Sequence, residues 1–314
     1  MRVDSLDSTF IRAMPAVFVL IWSTGFIVAK FGLPHAPPLT FLVLRYVLSI
    51  ACFLIWIALA RASWPRERAQ WLHLGVVGIL MHAVYLGGVW IAVKNGMGSG
   101  LSALIVSLQP VLTALWLASV AARSPHSAIV DRVSLRQWAG LLLGLGGLLL
   151  VVARKFGDTQ EVTALTLFCA VAALLGITSG TLYQKRFVQP HDVRTANTIQ
   201  LGSALAVTLP MAAFETEAIA WNSQFIGAMA WSVLALTLGG SSLLFLLIQR
   251  GAATSVTSLL YLVPPTTALM AWALFGELIT AATLAGTAMT AAGVALVLAP
   301  ANTAAKPKTG AGDV

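Results

Sequence analysis

The sequence predicts an all-α integral membrane protein, on the evidence of its low charge content, its long apolar runs and the placement of its basic residues. Only 10% of the 314 residues are charged and 58% are hydrophobic, whereas an ordinary soluble domain carries about 25% charged residues. The mean hydropathy is +0.87. Because so few polar side chains cannot cover a water-soluble globule of this length, a soluble protein is excluded.

Apolar runs recur along the whole chain. A hydrocarbon layer about 30 Å thick requires roughly 20 apolar residues in a helix. The first run is expected to be a retained helix rather than a signal peptide, because acids and bases both precede it and no small-x-small cleavage site follows it. We predict ten transmembrane helices, at about 13–31, 39–60, 71–93, 101–122, 135–153, 161–184, 195–214, 221–248, 253–275 and 281–299.

The basic residues are distributed unevenly between the two sides of the predicted membrane. With a cytoplasmic N-terminus, 14 of the 19 Lys and Arg fall on the cytoplasmic side, four fall on the other side, and Arg45 lies inside a span. This is the positive-inside bias. We therefore expect the tails 1–12 and 300–314 in the cytoplasm and the protein in a cell inner membrane. The net charge of +8 reflects topology and not a nucleic-acid partner.

The two halves of the chain resemble each other at a constant shift of 155 residues. The segment STGFIVAK (23–30) aligns with TSGTLYQK (178–185), and Arg45 falls on Gln200. Five spans per half is an odd number, so the second half is expected to be inverted relative to the first, an architecture that recurs in transporters with sites near the bilayer midplane. The predicted five-helix repeats are 13–153 and 161–299.

Prolines occur at matching places in the fourth and ninth predicted spans. Pro110 lies within IVSLQPVLTALW, and Pro264 and Pro265 lie within LYLVPPTTALMA. A proline inside a helix removes a backbone hydrogen bond and costs about 3 kcal/mol. We expect these prolines to kink their helices beside a polar central cavity, where freed carbonyls find partners. Ordinary packing kinks are the alternative interpretation.

Polar side chains near the middle of the spans are the candidates for lining that cavity, because polar groups in a membrane face the interior of the bundle. His82 and Tyr85, three residues apart, share a helix face. Serine and threonine are weaker candidates, since their hydroxyls also bond to their own helix. The predicted cavity residues are Trp22, Ser23, Thr24, Arg45, His82, Tyr85, Gln109, Ser179, Tyr183, Gln200 and Tyr261.

Arg45 and Glu277 are the charged residues of greatest interest. Arg45 lies about two turns into the second span, where it either extends to the membrane interface or serves as a counter-charge for a substrate carboxylate or a brace for the cavity. Glu277 near a span boundary is either an interfacial turn acid or a coupling residue. If protons are coupled to transport, His82 and Glu277 are the candidates. The lack of a mid-span carboxylate weighs against an antiporter of organic cations.

Other classes of protein find little support in the sequence. There is no G-x-x-x-x-G-K-[ST] loop for nucleotide hydrolysis. His73 and His82 are nine residues apart and point to opposite helix faces, so they cannot share a metal ion. We expect no cofactor, no metal site, and neither an intramembrane enzyme nor a channel. Gly140 and Gly144 of the fifth span, and Gly286 and Gly293 of its counterpart in the tenth, permit close helix approach, either within a monomer or in a homodimer.

At its two ends the chain resembles a known family. WSTGFIVAKFGLP followed by LTFLVLRYVLS is similar to the first two helices of EamA-type members of the drug/metabolite transporter superfamily, and YLVPPTTALMAWALFGELIT is similar to their ninth helix. In the first half, LASVAARSPHS stands where many relatives carry a second acidic turn. By motif, the resemblance implies roles for Trp22, Lys30, Arg45, Pro265 and Glu277.

The resemblance also implies a ten-helix bundle of two inverted repeats that performs secondary transport. The expected function is export of amino acids or similar small polar metabolites by alternating access through the central cavity. A drug exporter or a facilitative uniporter of the same family is the alternative. The expected partners are a small-molecule substrate and the lipid bilayer.

Overall fold

The computed structural model describes residues 3–122, 135–155, 162–249 and 262–298, and within these ranges the chain forms helices and no strand. The all-α prediction is confirmed for this part of the chain. In chain order the helices are α1 Val3–Gly32, α2 Pro38–Ala60, α3 Arg68–Gly78, α4 Tyr85–Lys94, α5 Ser99–Val106, α6 Gln109–Ala122, α7 Leu135–Lys155, α8 Ala164–Phe187, α9 Val193–Ala212, α10 Ser223–Trp231, α11 Ser242–Gln249, α12 Val263–Phe275 and α13 Ala281–Leu298.

Several helices have the length and composition of membrane spans. Among the described residues, four continuous helical stretches are long and apolar enough to cross a bilayer, at Pro38–Ala60, Arg68–Lys94, Ala164–Phe187 and Ser223–Phe245. Shorter apolar helices accompany them, at Val17–Gly32, Ser99–Thr113, Trp138–Ala153, Val263–Phe275 and Ala281–Leu296. The count of ten spans stays a prediction, and the first part of the ninth, 253–261, lies outside the described residues.

Two of the long helices contain a π-helical stretch. Ile79–Val84 joins α3 to α4, and Ser232–Ser241 joins α10 to α11. The Thr237 hydroxyl donates a hydrogen bond of 2.9 Å to the carbonyl of Ser232, five residues earlier. A shift of 155 residues places the first stretch inside the second. Because π-helical turns are rare and occur frequently at functional sites, matching stretches indicate a shared role.

Within the described residues the three prolines lie in the first turns of helices and not in helix interiors, so no kink through a lost intrahelical hydrogen bond is seen there. Helix α5 ends at Val106, and Pro110 lies in the first turn of α6. Pro264 and Pro265 lie in the first turn of α12. A first-turn proline removes no intrahelical hydrogen bond, so the cost of about 3 kcal/mol does not arise. The irregular backbone of the long spans lies in the π-helical stretches.

Helices α7 and α13 pack closely along a line of glycines. A Cβ atom added to Gly147 would lie 2.5 Å from the carbonyl oxygen of Gly286, and one added to Gly293 would lie 2.5 Å from that of Gly140. The Thr290 hydroxyl also donates to the Gly144 carbonyl at 3.2 Å. These glycines therefore serve packing within one chain. We call this line the glycine seam.

The other long helices surround the centre of the molecule in pairs. Helix α2 packs against α9, and α4 packs against α8. Helix α1 packs against the second π-helical stretch and against α12. Every one of these pairs joins a helix of the first half to a helix of the second half, so the centre lies at the junction of the halves.

Candidate functional site

A cavity lies between the two halves, bordered by α1, α2, α8, α9 and both π-helical stretches. Its volume is about 50 Å³, whereas a cavity that holds one water needs roughly 10–15 Å³. The cavity therefore has room for several waters or a small polar group. Its polar lining residues are Trp22, Arg45, His82, Tyr85, Trp90, Gln184, Asn197, Gln200 and Ser241, and its apolar ones include Phe26, Met81, Leu86, Val89, Leu236, Leu244 and Phe245.

Arg45 places a guanidinium group in the wall of this cavity. The residue is only 4% exposed, and its Nε donates a hydrogen bond of 3.0 Å to Thr237 Oγ1. Its Cζ lies 5.8 Å from the centre of the Trp90 ring. Within the described part of the chain, no carboxylate forms an ion pair with Arg45. Arg45 therefore lies in the interior rather than at an end of the helical bundle.

Two further hydrogen-bond donors in the cavity wall have no partner among the described residues. They are the indole Nε1 of Trp90 and the amide Nε2 of Gln200, and these residues are 1% and 4% exposed. Buried polar atoms in folded proteins almost always have a partner. The cavity wall thus holds two buried donors without a partner in addition to the Arg45 guanidinium.

The π-helical stretch before α4 positions His82 and Tyr85 on the same wall. The Tyr46 hydroxyl donates a hydrogen bond of 2.7 Å to the His82 carbonyl, and the His82 ring is in hydrogen-bonding contact with the Gln200 side chain. Across the cavity, Trp22 makes the same kind of contact with the Tyr85 hydroxyl. These contacts place His82 and Tyr85 next to Gln200 and Trp22 in the cavity wall.

The structure brings five of the eleven predicted cavity residues together: Trp22, Arg45, His82, Tyr85 and Gln200. Three hydroxyl residues instead donate to carbonyls of their own helix: Ser23 to Val19 at 2.7 Å, Thr24 to Ile21 at 2.6 Å and Ser179 to Leu175 at 2.6 Å. Ser179 is also exposed. None of the three lines the cavity in this conformation, so their roles in transport stay predictions.

Two other predicted residues find partners away from the cavity. The Gln109 amide donates to the Thr181 hydroxyl at 3.0 Å, and the Tyr183 hydroxyl lies 2.9 Å from His73 Nδ1. Neither residue is part of the lining, because each already has a neighbour that satisfies it. Tyr261 lies outside the described residues.

Sequence reasoning did not select Trp90, Gln184 or Asn197 as site residues. A signal for Trp90 existed in the helical face that begins at His82, because Leu86 and Val89 continue that face toward it. Asn197 lies three residues before Gln200 on α9 and so shares its face. Its amide donates to the Val193 carbonyl at 2.8 Å, which leaves its side-chain oxygen available to the cavity.

Charged contacts between the halves concentrate at one end of the bundle, which we call the Lys30 end. Lys30 Nζ lies 2.6 Å from Glu277 Oε1, and the same oxygen accepts from the Ser99 backbone nitrogen at 3.1 Å. The Glu215 carboxylate accepts from the backbone nitrogens of Leu39 and Thr40 at 2.9 and 2.7 Å. Each carboxylate belongs to the second half and holds the start of a helix in the first half.

A third carboxylate of the second half adds to the same set. Lys94 Nζ lies 2.5 Å from Glu217 Oε2 and also donates to the Leu33 carbonyl at 3.1 Å. Glu217 is more exposed, with 60% of its side chain accessible, against 16% for Glu277. An exposed pair contributes only about 0–1 kcal/mol, so Glu277 is the more important of the two ion-pair acids.

The opposite end, which we call the Lys185 end, is held by uncharged groups and by one cation–π contact in the part of the chain that the structure describes, the Arg194 guanidinium over the Trp56 ring at 5.4 Å from its centre. The Gln70 amide donates to the Phe187 carbonyl at 3.3 Å and accepts from the Gln189 nitrogen at 3.0 Å. The Thr195 hydroxyl donates to the Ser63 carbonyl at 3.1 Å. The cavity lining extends toward this end, since Asn197 lies about one turn into α9.

Comparison with known proteins identifies the family. The model of the EamA-like transporter family matches residues 13–153 and 164–299, which together make up most of the chain. This chain belongs to the EamA-like transporter family. It is a membrane transporter of the drug/metabolite transporter superfamily, as the sequence motifs indicated.

Relatives of this EamA-like transporter include proteins that are named as transporters. The chain is 27% identical over 303 residues to the uncharacterized transporter YvbV of Bacillus subtilis, covering 94% of this chain and 93% of the relative. It is 26% identical over 286 residues to a probable amino-acid metabolite efflux pump of Salmonella typhimurium, covering 88% and 90%. A solved crystal structure matches with a TM-score of 0.63 and 18% identity over 90% of this chain and 95% of the other; that likeness concerns the fold alone.

Proposed function

We propose that this EamA-like transporter is a secondary-active exporter of amino acids or similar small polar metabolites, and that the central cavity is its substrate site. The observation that carries the proposal is the buried Arg45 guanidinium, which faces a polar cavity at the junction of the two halves. A charge in such a place is costly and is typical of a substrate pathway. The name of the Salmonella relative, a probable amino-acid metabolite efflux pump, supports the substrate class.

We further propose that the halves 13–153 and 161–299 form inverted five-helix repeats with ten spans in all. Two contacts in the cavity wall support this symmetry. Arg45 bonds to Thr237, and Gln200 contacts His82. Gln200 follows Arg45 by 155 residues, and Thr237 follows His82 by the same number. A two-fold axis through the cavity would relate these contacts, as it would relate the two π-helical stretches.

The direction in which the cavity opens follows from the ties at the two ends. From the positive-inside bias we infer that the protein lies in a cell inner membrane with the Lys185 end and both chain termini on the cytoplasmic side. The Lys30 end then faces outward, where three carboxylates hold the halves together. The described conformation is accordingly proposed to be open toward the cytoplasm and closed outside. In the alternate state these outer contacts break and the substrate leaves.

The two proposed coupling residues have different positions in this arrangement. Glu277 is paired with Lys30 at the outer end, so we assign it to closure of the outer side. His82 lies in the cavity lining and contacts Gln200. If transport is coupled to protons, His82 is the group through which protonation would reach the substrate site directly.

Transport by purified protein in proteoliposomes tests the proposed function. We expect uptake of at least one member of a panel of amino acids and related carboxylates and amines, with a faster initial rate when a pH gradient is imposed. Liposomes without protein are the control for leakage. Uptake that ignores every ion gradient would identify a facilitative uniporter. Absence of uptake for the entire panel would contradict the proposed function.

Reversing the Lys30–Glu277 ion pair tests closure of the outer end. Lys30→Glu and Glu277→Lys each replace an attractive contact of 2.6 Å with two like charges. Each single variant is expected to lose about fivefold or more in transport rate, because neighbouring like charges repel by about 1 kcal/mol or more. The double variant restores an attractive pair and is expected to regain most of the rate. The measurement is the initial rate of uptake in proteoliposomes.

The exposed Lys94–Glu217 pair supplies a matched control for that experiment. Lys94→Glu and Glu217→Lys are expected to change the rate by no more than a few-fold, since an exposed ion pair contributes little. If the Lys30→Glu/Glu277→Lys double variant is no more active than either single variant, the pair does not act as a closing contact.

A further inference from the structure

We propose that the cavity of this transporter binds an amine-free monocarboxylate with an apolar body, whose carboxylate is held by Arg45, Trp90 and Gln200. This inference rests on the proposed export function, and within its substrate class it favours carboxylates that lack an amine over the amino acids themselves. It predicts that a 2-oxo acid or a similar organic anion binds more tightly than the amino acid with the same carbon skeleton.

The charge balance of the cavity calls for an anion. Arg45 is 4% exposed, and no described carboxylate pairs with it. A buried charge without a partner is strongly unfavourable, and a well-placed opposite charge compensates for it. The one side-chain bond of its guanidinium that the structure shows is donated by Nε to a hydroxyl. The bound anion would supply the missing counter-charge.

The hydrogen-bond donors of the cavity match a carboxylate group. Arginine and the tryptophan indole can only donate, and the Nε2 of glutamine can only donate. Trp90 Nε1 and Gln200 Nε2 have no partner in the described structure, and the Trp90 ring lies 5.8 Å from Arg45 Cζ. An ionised carboxylate accepts at two oxygens with about four lone-pair sites. In the proposed complex these three donor groups would surround one carboxylate and satisfy both sides.

An ammonium group would find no counterpart in the same cavity. No lining residue is an aspartate or a glutamate, and the undescribed segment 250–261 contains neither residue type. The neutral oxygens of Gln184 and Asn197 are the acceptors that remain. An ammonium held in this space would also be repelled by Arg45, because charges interact more strongly in a low-dielectric interior than in water. A zwitterion therefore gains less than an anion from binding here.

The remainder of the lining favours an apolar substrate body. Phe26, Leu86, Val89, Leu236 and Phe245 supply aromatic and branched aliphatic surface around the polar wall. Burial of each methylene group against such a surface stabilises the complex by about 0.8 kcal/mol, which corresponds to a roughly fourfold gain in affinity. A carboxylate at one end and an apolar chain at the other would fill both parts of the cavity.

A matched series of ligands tests the proposal. The compounds are 4-methyl-2-oxopentanoate, leucine and 3-methylbutylamine, which present the same branched chain with an anionic, zwitterionic or cationic end. Binding to the purified full-length transporter is measured by tryptophan fluorescence, and flux of the first two by proteoliposomes. We expect the oxo acid to bind roughly tenfold or more tightly than leucine and the amine to bind weakest, since a hydrogen bond to a charged group changes affinity by about that factor.

Two near-isosteric variants locate the carboxylate. Trp90→Phe removes the indole donor, and Gln200→Leu removes the amide donor. Each is expected to weaken binding of the oxo acid by roughly tenfold while leaving binding of the amine unchanged. Trp272→Phe, on the 56% exposed Trp272 of α12, is the matched control and should change neither. Thermal unfolding of each variant reports whether it is folded. If Gln200→Leu does not fold, the affinity of Trp90→Phe for the oxo acid alone decides whether the carboxylate binds here.

The possible results separate this proposal from the proposed function. Binding of leucine as tight as that of the oxo acid, or tighter, would overturn the preference for an amine-free ligand. An unchanged affinity of Trp90→Phe for the oxo acid would overturn the carboxylate site. In either case, flux of leucine would leave the proposed transporter function intact. Absence of flux for every compound of the wider panel would overturn the proposed function itself. Selective loss of oxo-acid binding in both variants supports the site.

Discussion

Replacement of Arg45 by methionine is expected to lower transport of carboxylated substrates by roughly 100-fold or more, while the melting temperature stays constant or rises. Transport falls because the substrate loses a charge-assisted contact of about 1.5–3 kcal/mol and its counter-charge. Stability does not fall, since the variant removes a buried charge that has no carboxylate partner, and apolar replacements of buried charges are often neutral or stabilising. Initial uptake rates and thermal unfolding of the purified variant measure the two effects.

Arg194 provides the matched control for this substitution. It pairs with Asp192 at 2.6 Å beside the start of α9, and about a fifth of each side chain is exposed. Arg194→Met is expected to lower transport far less than Arg45→Met, because Arg194 is not part of the cavity lining. A fall in melting temperature of Arg45→Met that parallels its loss of transport would assign Arg45 to bracing the cavity wall.

Replacement of Gly147 by alanine in the glycine seam is expected to destabilise the transporter by about 2 kcal/mol, within the range for an overpacked interior. The new methyl group would lie 2.5 Å from the Gly286 carbonyl oxygen and 2.8 Å from the Met289 Cβ. These are a backbone atom and the base of a side chain, which cannot move aside independently. Helices α7 and α13 must therefore separate. Thermal unfolding in detergent measures the loss as a lower melting temperature.

Gly146 lies next to Gly147 and supplies the control. A Cβ there would lie 3.7 Å from the Met289 methyl group, an ordinary contact distance. Alanine is favoured over glycine within a helix by about 0.8–1.0 kcal/mol, so Gly146→Ala should leave the melting temperature unchanged or raise it. Equal melting temperatures for both variants would mean that the seam is more loosely packed than the structure indicates.

The membrane character of this transporter could be predicted from its sequence because hydropathy and charge act along the whole chain. The face shared by His82 and Tyr85 was also predictable, since helical periodicity alone brings these side chains together. Gln200 was found through its alignment with Arg45. In each case a regular pattern determines the outcome.

The remaining features depend on tertiary contacts that leave no regular pattern. Hydroxyls such as that of Ser179 bond to their own helix as readily as they face a cavity. Pro110 lies in the first turn of α6 because α5 ends at Val106, and a proline in the sequence does not tell a kink from a helix end. The π-helical stretches carry no proline to mark them. The orphan state of the Trp90 indole becomes visible only when its neighbours are known.

The carboxylates that bridge to the start of α2, to Lys30 and to Lys94 all come from one half of the chain, while the far end is bridged without carboxylates, by amides, hydroxyls and the Arg194 guanidinium over the Trp56 ring. If the two halves exchange conformations during transport, the two access states therefore differ in free energy, because only one of them keeps these ion pairs. In the proposed transport cycle, most substrate-free molecules are expected to be open at the Lys185 end, because leaving that state separates the opposite charges at the Lys30 end. Such a bias would favour the proposed export, in which substrate binds from the cytoplasm and the outer side closes again after each release.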